Sequence, residues 1–507
     1  MLWSALWIEA LRARPGLAVR MAGGALGLLW VALPLLVFAS PPLELTQYLL
    51  AARAGRVAAD AGGPLAAGLS WLALDGLGLW AVYALFALAM LASAGLAYRL
   101  ASRFLGRAMG GAAALVFVAV EGIGLPLDPY APDRLALPAV LWVVLESWRL
   151  IGERKSHAWP ALAAAGGIAL FAGWSGWAVV LAAALLIALT PAGRAALRTR
   201  DIVQPVAMGL TFLIPFALWT VRFPPPVPTL GAAGGAAAGG SSMVPAATLL
   251  AGLVLASVPG ALLVLISSRA GERGGGDRAR EDVPTLARGP VPDFAPVFMA
   301  VMGIVPLLAA LALAALGERQ TVWGTPAPAL LAVLLVAWRG QVAGIHRRRA
   351  MAPLWLACVA APAVVTALVT LGAPQVGRRG QAVNFPARAV AGPLTEAATR
   401  RLGHPPGAIG GVTALAAPIA LASSARPVLM PQAGPAQASA TVNHLAAHEG
   451  MVLVWPVLSA NGGPPYGLRE LWPDLQPQAP IVVPWAIAGR LDPVRVGWAV
   501  VPPPAPK

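Results

Sequence analysis

Two polar stretches bring together residues that could do acid–base chemistry. One reads Ser40-Pro-Pro-Leu-Glu44-Leu-Thr-Gln-Tyr48-Leu-Leu-Ala-Ala-Arg53-Ala-Gly-Arg56, with Gly62-Gly63-Pro64-Leu65 close behind. The other reads Glu121-Gly-Ile-Gly-Leu-Pro-Leu-Asp128-Pro-Tyr-Ala-Pro-Asp133-Arg134. A carboxyl group set beside arginine and shielded from bulk water can have its pKa tuned, and can then take a proton from a hydroxyl as a general base. Other catalytic patterns are missing: the sequence has no Walker A loop, no HExxH, no G-x-S-x-G and no CxxC. His444 and His448 have the i, i+4 spacing that suits a metal on a helix, but no third ligand lies near them in sequence, so they read as a solvated helix face. The single cysteine, Cys358, sits in an apolar run and reads as a packed thiol.

The elements that carry these stretches follow from composition. Of 507 residues, 58% are apolar and 11% charged, with a mean hydropathy of +0.73. A soluble domain carries about 25% charged residues. The chain therefore reads as a polytopic membrane protein, and a cytosolic enzyme, a disordered chain and a coiled coil are excluded. Its 55 glycines and 49 prolines show no G-X-Y period, which excludes collagen. The net charge of +15 could suggest nucleic acid, but the arginines lie between apolar runs and read as topology signals instead.

A membrane helix needs roughly 20 apolar residues. Eleven runs are candidates: 21–39, 79–98, 108–122, 135–150, 159–172, 177–189, 202–221, 246–267, 295–316, 326–338 and 351–372. With the N-terminus in the cytoplasm, the cytoplasmic segments hold 21 Lys and Arg and the short outer loops hold five: Arg53, Arg56, Arg134, Arg222 and Arg319. That asymmetry fits the positive-inside rule at every loop. It also puts both acidic stretches, in loops 40–78 and 121–134, at the outer surface. Segment 231–242 reads as a flexible outer linker, and segment 268–294 as a mixed-charge cytoplasmic loop. After residue 372 the texture changes to short apolar runs (428–430, 451–455, 481–485, 494–501) alternating with helix-like stretches at 386–402 and 439–448, and the Pro-rich end reads as frayed. This pattern predicts a small α/β domain over 373–507, outside the membrane, after a membrane domain over 1–372.

At this point the residues resemble a family. The order of motifs is similar to the GT-C superfamily of polyprenyl-phosphate-sugar-dependent glycosyltransferases, and closest to glycosyltransferase family 39, which includes protein O-mannosyltransferases and aminoarabinose-lipid A transferases. The resemblance rests on Glu44 to Tyr48 followed by Gly63-Pro64-Leu65, on Tyr98-Arg-Leu-Ala-Ser-Arg103-Phe-Leu-Gly106, and on Pro132-Asp133-Arg134. It continues into the tail with a helix at 386–402, a Gly410-Gly411 turn, a second helix and Ser424-Ala-Arg426-Pro427. It implies a GT-C-like membrane fold with about eleven spans, and an inverting transfer from a polyprenyl-phosphate sugar to a lipid, glycan or protein acceptor at the outer face of a bacterial inner membrane. It also implies Glu44 as the base and Asp133 as a second acid. Tyr48, Arg53, Arg56, Pro64, Asp128, Arg134 and Arg319 fall at substrate-binding positions, the arginines toward the lipid phosphate. No cofactor and no nucleic acid is implied; Glu44 and Asp133 could share a metal ion, but the expectation is that they do not. Three departures stand out. Glu44 replaces the family's Asp, Leu45 replaces its second acid, and Ala172-Gly-Trp-Ser-Gly176 stands where a lysine is common.

Two other classes compete with this one. A diverged, inactive relative would act as a membrane assembly or binding protein through its outer tail. A lipid or solute transporter would need ionisable groups near the bilayer midplane, and the eleven runs carry almost none away from their ends, with no clear inverted repeat.

Overall fold

The computed structural model describes residues 9–53, 63–197, 203–222, 243–266, 268–269, 285–287, 289–316, 321–340, 342–344, 348–377, 380–430, 434, 438, 440–457 and 463–503. Arg56, Arg319, segment 231–242, most of segment 268–294 and the final four residues lie outside these. In chain order the helices are α1 (Pro15–Val37), α2 (Leu43–Arg53), α3 (Gly63–Leu77), α4 (Leu79–Gly124), α5 (Pro132–Ile151), α6 (Trp159–Leu170), α7 (Trp174–Leu189), α8 (Pro191–Leu197) and α9 (Val203–Arg222). They continue as α10 (Met243–Ile266), α11 (Ala295–Ala315), α12 (Ala327–Trp338), α13 (Arg348–Gly372), α14 (Ala387–Leu402), α15 (Thr413–Ala422), α16 (Ala440–Glu449) and α17 (Tyr466–Leu471).

The chain divides into two units, residues 1–31 with 58–364, and residues 32–57 with 365–507. The larger unit is mainly helical. Among the described residues of the whole chain, five helices are long and apolar enough to cross a membrane, or six if α7 and α8, bent by 93°, form one broken span. The protein is accordingly an integral membrane protein. The break expected between the second and third apolar runs is not a loop. Helix α4 contains both runs, separated only at Gly106, whose φ of 75° and ψ of 171° leave the helical region. A positive φ costs glycine nothing, and the chain folds back there so sharply that a Cβ on Gly110 would lie 2.6 Å from the backbone of Ser102. Short strands β1 (Ser268–Arg269), β2 (Thr285–Ala287) and β3 (Val342–Gly344) form an antiparallel sheet with β3 in the middle.

The second unit is built on a five-stranded sheet in the order β5-β4-β6-β8-β7, where β4 is Ala408–Gly411, β5 Val428–Leu429, β6 Met451–Pro456, β7 Ile481–Val483 and β8 Val494–Val501. β4 runs parallel to β5 and β6, while β8 runs antiparallel to β6 and β7. The unbroken apolar run of β6 reflects cover on both faces. Val452 and Val454 pack with Val390, Leu394 and Ile419 of α14 and α15, while Met451, Leu453 and Trp455 pack with Val442 and Leu468 of α16 and α17. The Gly410-Gly411 pair, expected as a turn, is instead the end of central strand β4, in register with Leu453 and Val454.

Candidate functional site

The first acidic stretch folds as helix α2, in the second unit. Pro41 and Pro42 cannot sit in a helix interior, so the helix starts after them, and Thr46 closes its first turn by donating from its backbone N–H and its hydroxyl to the Pro42 carbonyl, at 2.9 and 3.0 Å. Leu45, Thr46, Tyr48, Leu49, Leu50 and Ala52 are buried, and Glu44 is the one residue of the helix that is exposed. Its carboxylate has no hydrogen-bond or ion-pair partner among the described residues. Tyr48 is one turn further along and Arg53 is half-buried in the last turn. A glutamate in a helix's first turn is favoured by the positive end of the helix dipole.

The second stretch, in the larger unit, is arranged differently. It was expected as a loop from residue 121, but α4 runs on to Gly124, so Glu121 is a helical residue with no exposed surface. Glu121 accepts a charge-assisted hydrogen bond from Nη1 of Arg134, itself only 4% exposed. The same guanidinium donates through Nε to the Asp128 carbonyl at 2.9 Å and through Nη2 to the Gly124 carbonyl at 3.3 Å, and it lies 4.9 Å from the ring centre of Trp323. One arginine thus ties the end of α4, the connecting segment and the 322–324 turn together. Gly124 is required at this point, because a Cβ there would stand 2.2 Å from the Trp323 ring. Tyr130 closes the other side of the segment, donating its hydroxyl to the Trp30 carbonyl at 2.6 Å and packing against Tyr83 and Phe86.

Asp133, in the first turn of α5 ahead of the apolar run, is also buried, with 3% of its surface exposed. Its Oδ2 accepts from the backbone N–H and the hydroxyl of Thr321, at 3.1 and 3.0 Å. Burial pushes its carboxyl up to about 6, against the opposing pull of the Thr321 hydrogen bonds. Asp133, Arg134 and the Asp128 carbonyl are therefore gathered into one cluster, with Glu121, Thr321 and Trp323 added to it. Glu44, Tyr48 and Arg53 form a separate group on α2, and Pro64 is the second residue of α3, where the N–H of Leu65 donates to the Phe171 carbonyl. Glu121 was visible in the sequence as an acid thirteen residues before Arg134. Thr321 and Trp323 gave no local sign, because they reach the cluster from 188 and 189 residues further on. The rings of His444 and His448 lie 4.2 Å apart, and no group of three or more potential metal ligands occurs among the described residues.

No family model matches this sequence, and no curated protein matches it either. Among solved structures the chain is similar to ArnT from Cupriavidus metallidurans, in a crystal structure bound to undecaprenyl phosphate. The TM-score is 0.52 and the identity 14%, over 96% of this chain and 98% of that one. At this identity the likeness concerns the fold alone, and the fold is ArnT-like over nearly the whole chain.

Proposed function

We propose that the protein transfers a sugar from a polyprenyl-phosphate donor to an acceptor hydroxyl at the outer face of a bacterial inner membrane, with Glu44 as the general base. The observation that carries this reading is the exposed Glu44 on an otherwise covered helix, just after the first membrane helix of a chain whose fold is shared, end to end, with a protein crystallised with undecaprenyl phosphate. In this reading the apolar runs make eleven crossings, with the N-terminus inside and residues 373–507 outside. Glu44 takes the acceptor proton as the hydroxyl attacks the anomeric carbon, inverting it, and the lipid phosphate departs. Arg53, Arg56 and Arg319 are the candidates to stabilise that phosphate by charge-assisted hydrogen bonds. Arg134 and Asp133 serve by holding the 125–131 segment and the 321–324 turn.

One observation leans toward transport: a carboxylate–arginine pair buried in a membrane unit. The carbonyl partners of Arg134 account for that pair as a clamp on the connecting segment. The test is transfer from radiolabelled polyprenyl-phosphate sugars in membranes containing the wild type or Glu44→Gln. Wild-type transfer that the variant loses supports the reading. Equal transfer by both removes Glu44 from the mechanism, and no transfer by the wild type across a panel of donors ends the transferase reading.

A further inference from the structure

The carboxylate of Glu44 is held by no partner among the described residues, so its position is that of its helix, and the helix is fixed by the far end of the chain. Before α2, the backbone N–H groups of Ala39 and Ser40 both donate to the Val383 carbonyl, at 2.9 and 3.0 Å. The buried Ser40 hydroxyl donates to the Phe385 carbonyl at 2.7 Å, across 345 residues of sequence. On the helix itself, Leu50 is buried in the core that contains Phe385, Val390 and Leu394, and Leu43, two turns earlier, packs against the same core. The bracket that receives these bonds is itself fastened: Asn384, fully buried, donates from Nδ2 to the Thr370 carbonyl at 2.8 Å, and the N–H of Ala486 donates to the Asn384 carbonyl.

We infer that the C-terminal unit positions Glu44, and that Ser40 and Leu50 are positioning residues for the transfer proposed above, on which this inference rests. The physical reason is geometric. A general base works only within hydrogen-bond reach of the proton it takes, and displacement by about 1 Å can cost on the order of a hundredfold in rate. A glutamate without a local partner has no means of correcting a misplaced helix. The outer unit is then part of the catalytic apparatus, since any change in its packing at residues 382–385 is passed to the base.

The experiment uses the full-length protein with Ser40→Ala, Leu50→Ala and Leu50→Met, and reads two quantities. The first is amide hydrogen exchange over residues 43–50, which needs no substrate. Ser40→Ala removes one partner of a buried hydrogen bond and Leu50→Ala opens a cavity. Each should speed exchange over 43–50 by about tenfold, while β6 and β8 keep wild-type protection. Leu50→Met, which keeps the volume, should behave as wild type. The second quantity is transfer from the donor that the wild type uses. Ser40→Ala should lower kcat by about tenfold with KM for the donor unchanged, and Leu50→Met should retain full kcat. Unchanged exchange over 43–50 in both alanine variants overturns the anchoring. Faster exchange with full kcat overturns the positioning role. Faster exchange combined with wild-type transfer by Glu44→Gln leaves the anchoring standing and removes the base, which separates this inference from the reading it rests on. Should Leu50→Ala fail to fold, Ser40→Ala and Leu50→Met decide the matter by the same criteria.

Discussion

The two acidic stretches contain the same kinds of residue and end up in opposite physical states. At 121–134 the carboxylates of Glu121 and Asp133 and an arginine are almost wholly removed from water, and each has a protein partner: Glu121 through Oε2 with Arg134, its Oε1 buried without one among the described residues, Asp133 with Thr321, and Arg134 with two carbonyls and a tryptophan face besides. At 40–53 the only carboxylate is exposed and carries no partner among the described residues, while the residues around it are covered. Burying a charge is costly unless it is paired and hydrogen-bonded, so the second stretch is built as a structural joint. The first keeps its acid available. A cluster of titratable groups is therefore not by itself a reactive site; what separates the two is how many of the polar atoms are already occupied.

That contrast can be broken in four ways, from strong to weak. Glu44→Gln should reduce transfer by about 10²–10⁴-fold, the usual contribution of a general base, with an unchanged Tm in detergent; a large drop in Tm would make Glu44 structural and erase the distinction. Arg134→Met leaves the Glu121 carboxylate buried without its cation, a change that typically costs about 3–5 kcal/mol. The variant should lose its monodisperse peak in size-exclusion chromatography, and Glu121→Leu combined with Arg134→Met should regain most of it. If Arg134→Met stays as stable as the wild type, the pair is not the joint described here. Gly124→Ala drives a methyl group into the Trp323 ring, and overpacking of this kind costs about 1–3 kcal/mol. A lowered Tm that Trp323→Ala in the same chain partly relieves is the expected outcome, while a neutral Gly124→Ala would argue that the 322–324 turn is loosely held.

The weakest effect depends on pH. Burial raises the Asp133 carboxyl to about 6, from an ordinary value of 3.8. A raised folded-state pKa means that this group contributes its full stability below about pH 4 and loses it as pH rises through about 6. Asp133→Asn keeps an oxygen to accept from Thr321 and cannot ionise. Its Tm relative to wild type should therefore improve by a few degrees between pH 4.5 and 7.5. A constant difference at every pH would show that ionisation of Asp133 does not reach the fold.

Much of this architecture was legible in the sequence, because the signals that carry it are local. The described parts of all eleven apolar runs lie almost wholly in helices, since an apolar stretch placed in lipid must satisfy its backbone hydrogen bonds within itself. The four apolar runs of the tail are the sites of β5, β6, β7 and β8 instead, because short runs rich in valine and bounded by glycine and proline suit strands. Glycine was harder to interpret. Gly410-Gly411 ends a strand at a close approach between backbones, whereas Gly106, within a segment expected as a loop, marks the single break in α4. The loop boundary at Glu121 was misplaced because an acid after an apolar run usually marks the end of a helix, and only Arg134, thirteen residues on, lets the helix continue with that acid buried.

Taken alone, the sequence determined that the protein is a membrane protein with a differently textured tail, and which acids sit beside which arginines; these depend on hydropathy and on neighbours along the chain. Only the tertiary structure decided which acid is occupied and which is available. Thr321 and Trp323, which complete the second cluster, and Val383 and Phe385, which hold the segment just before Glu44, lie about 190 and 345 residues away in sequence. Hydrogen bonds and packing act over ångströms, and no pattern along a chain encodes which distant segments will be brought within that range.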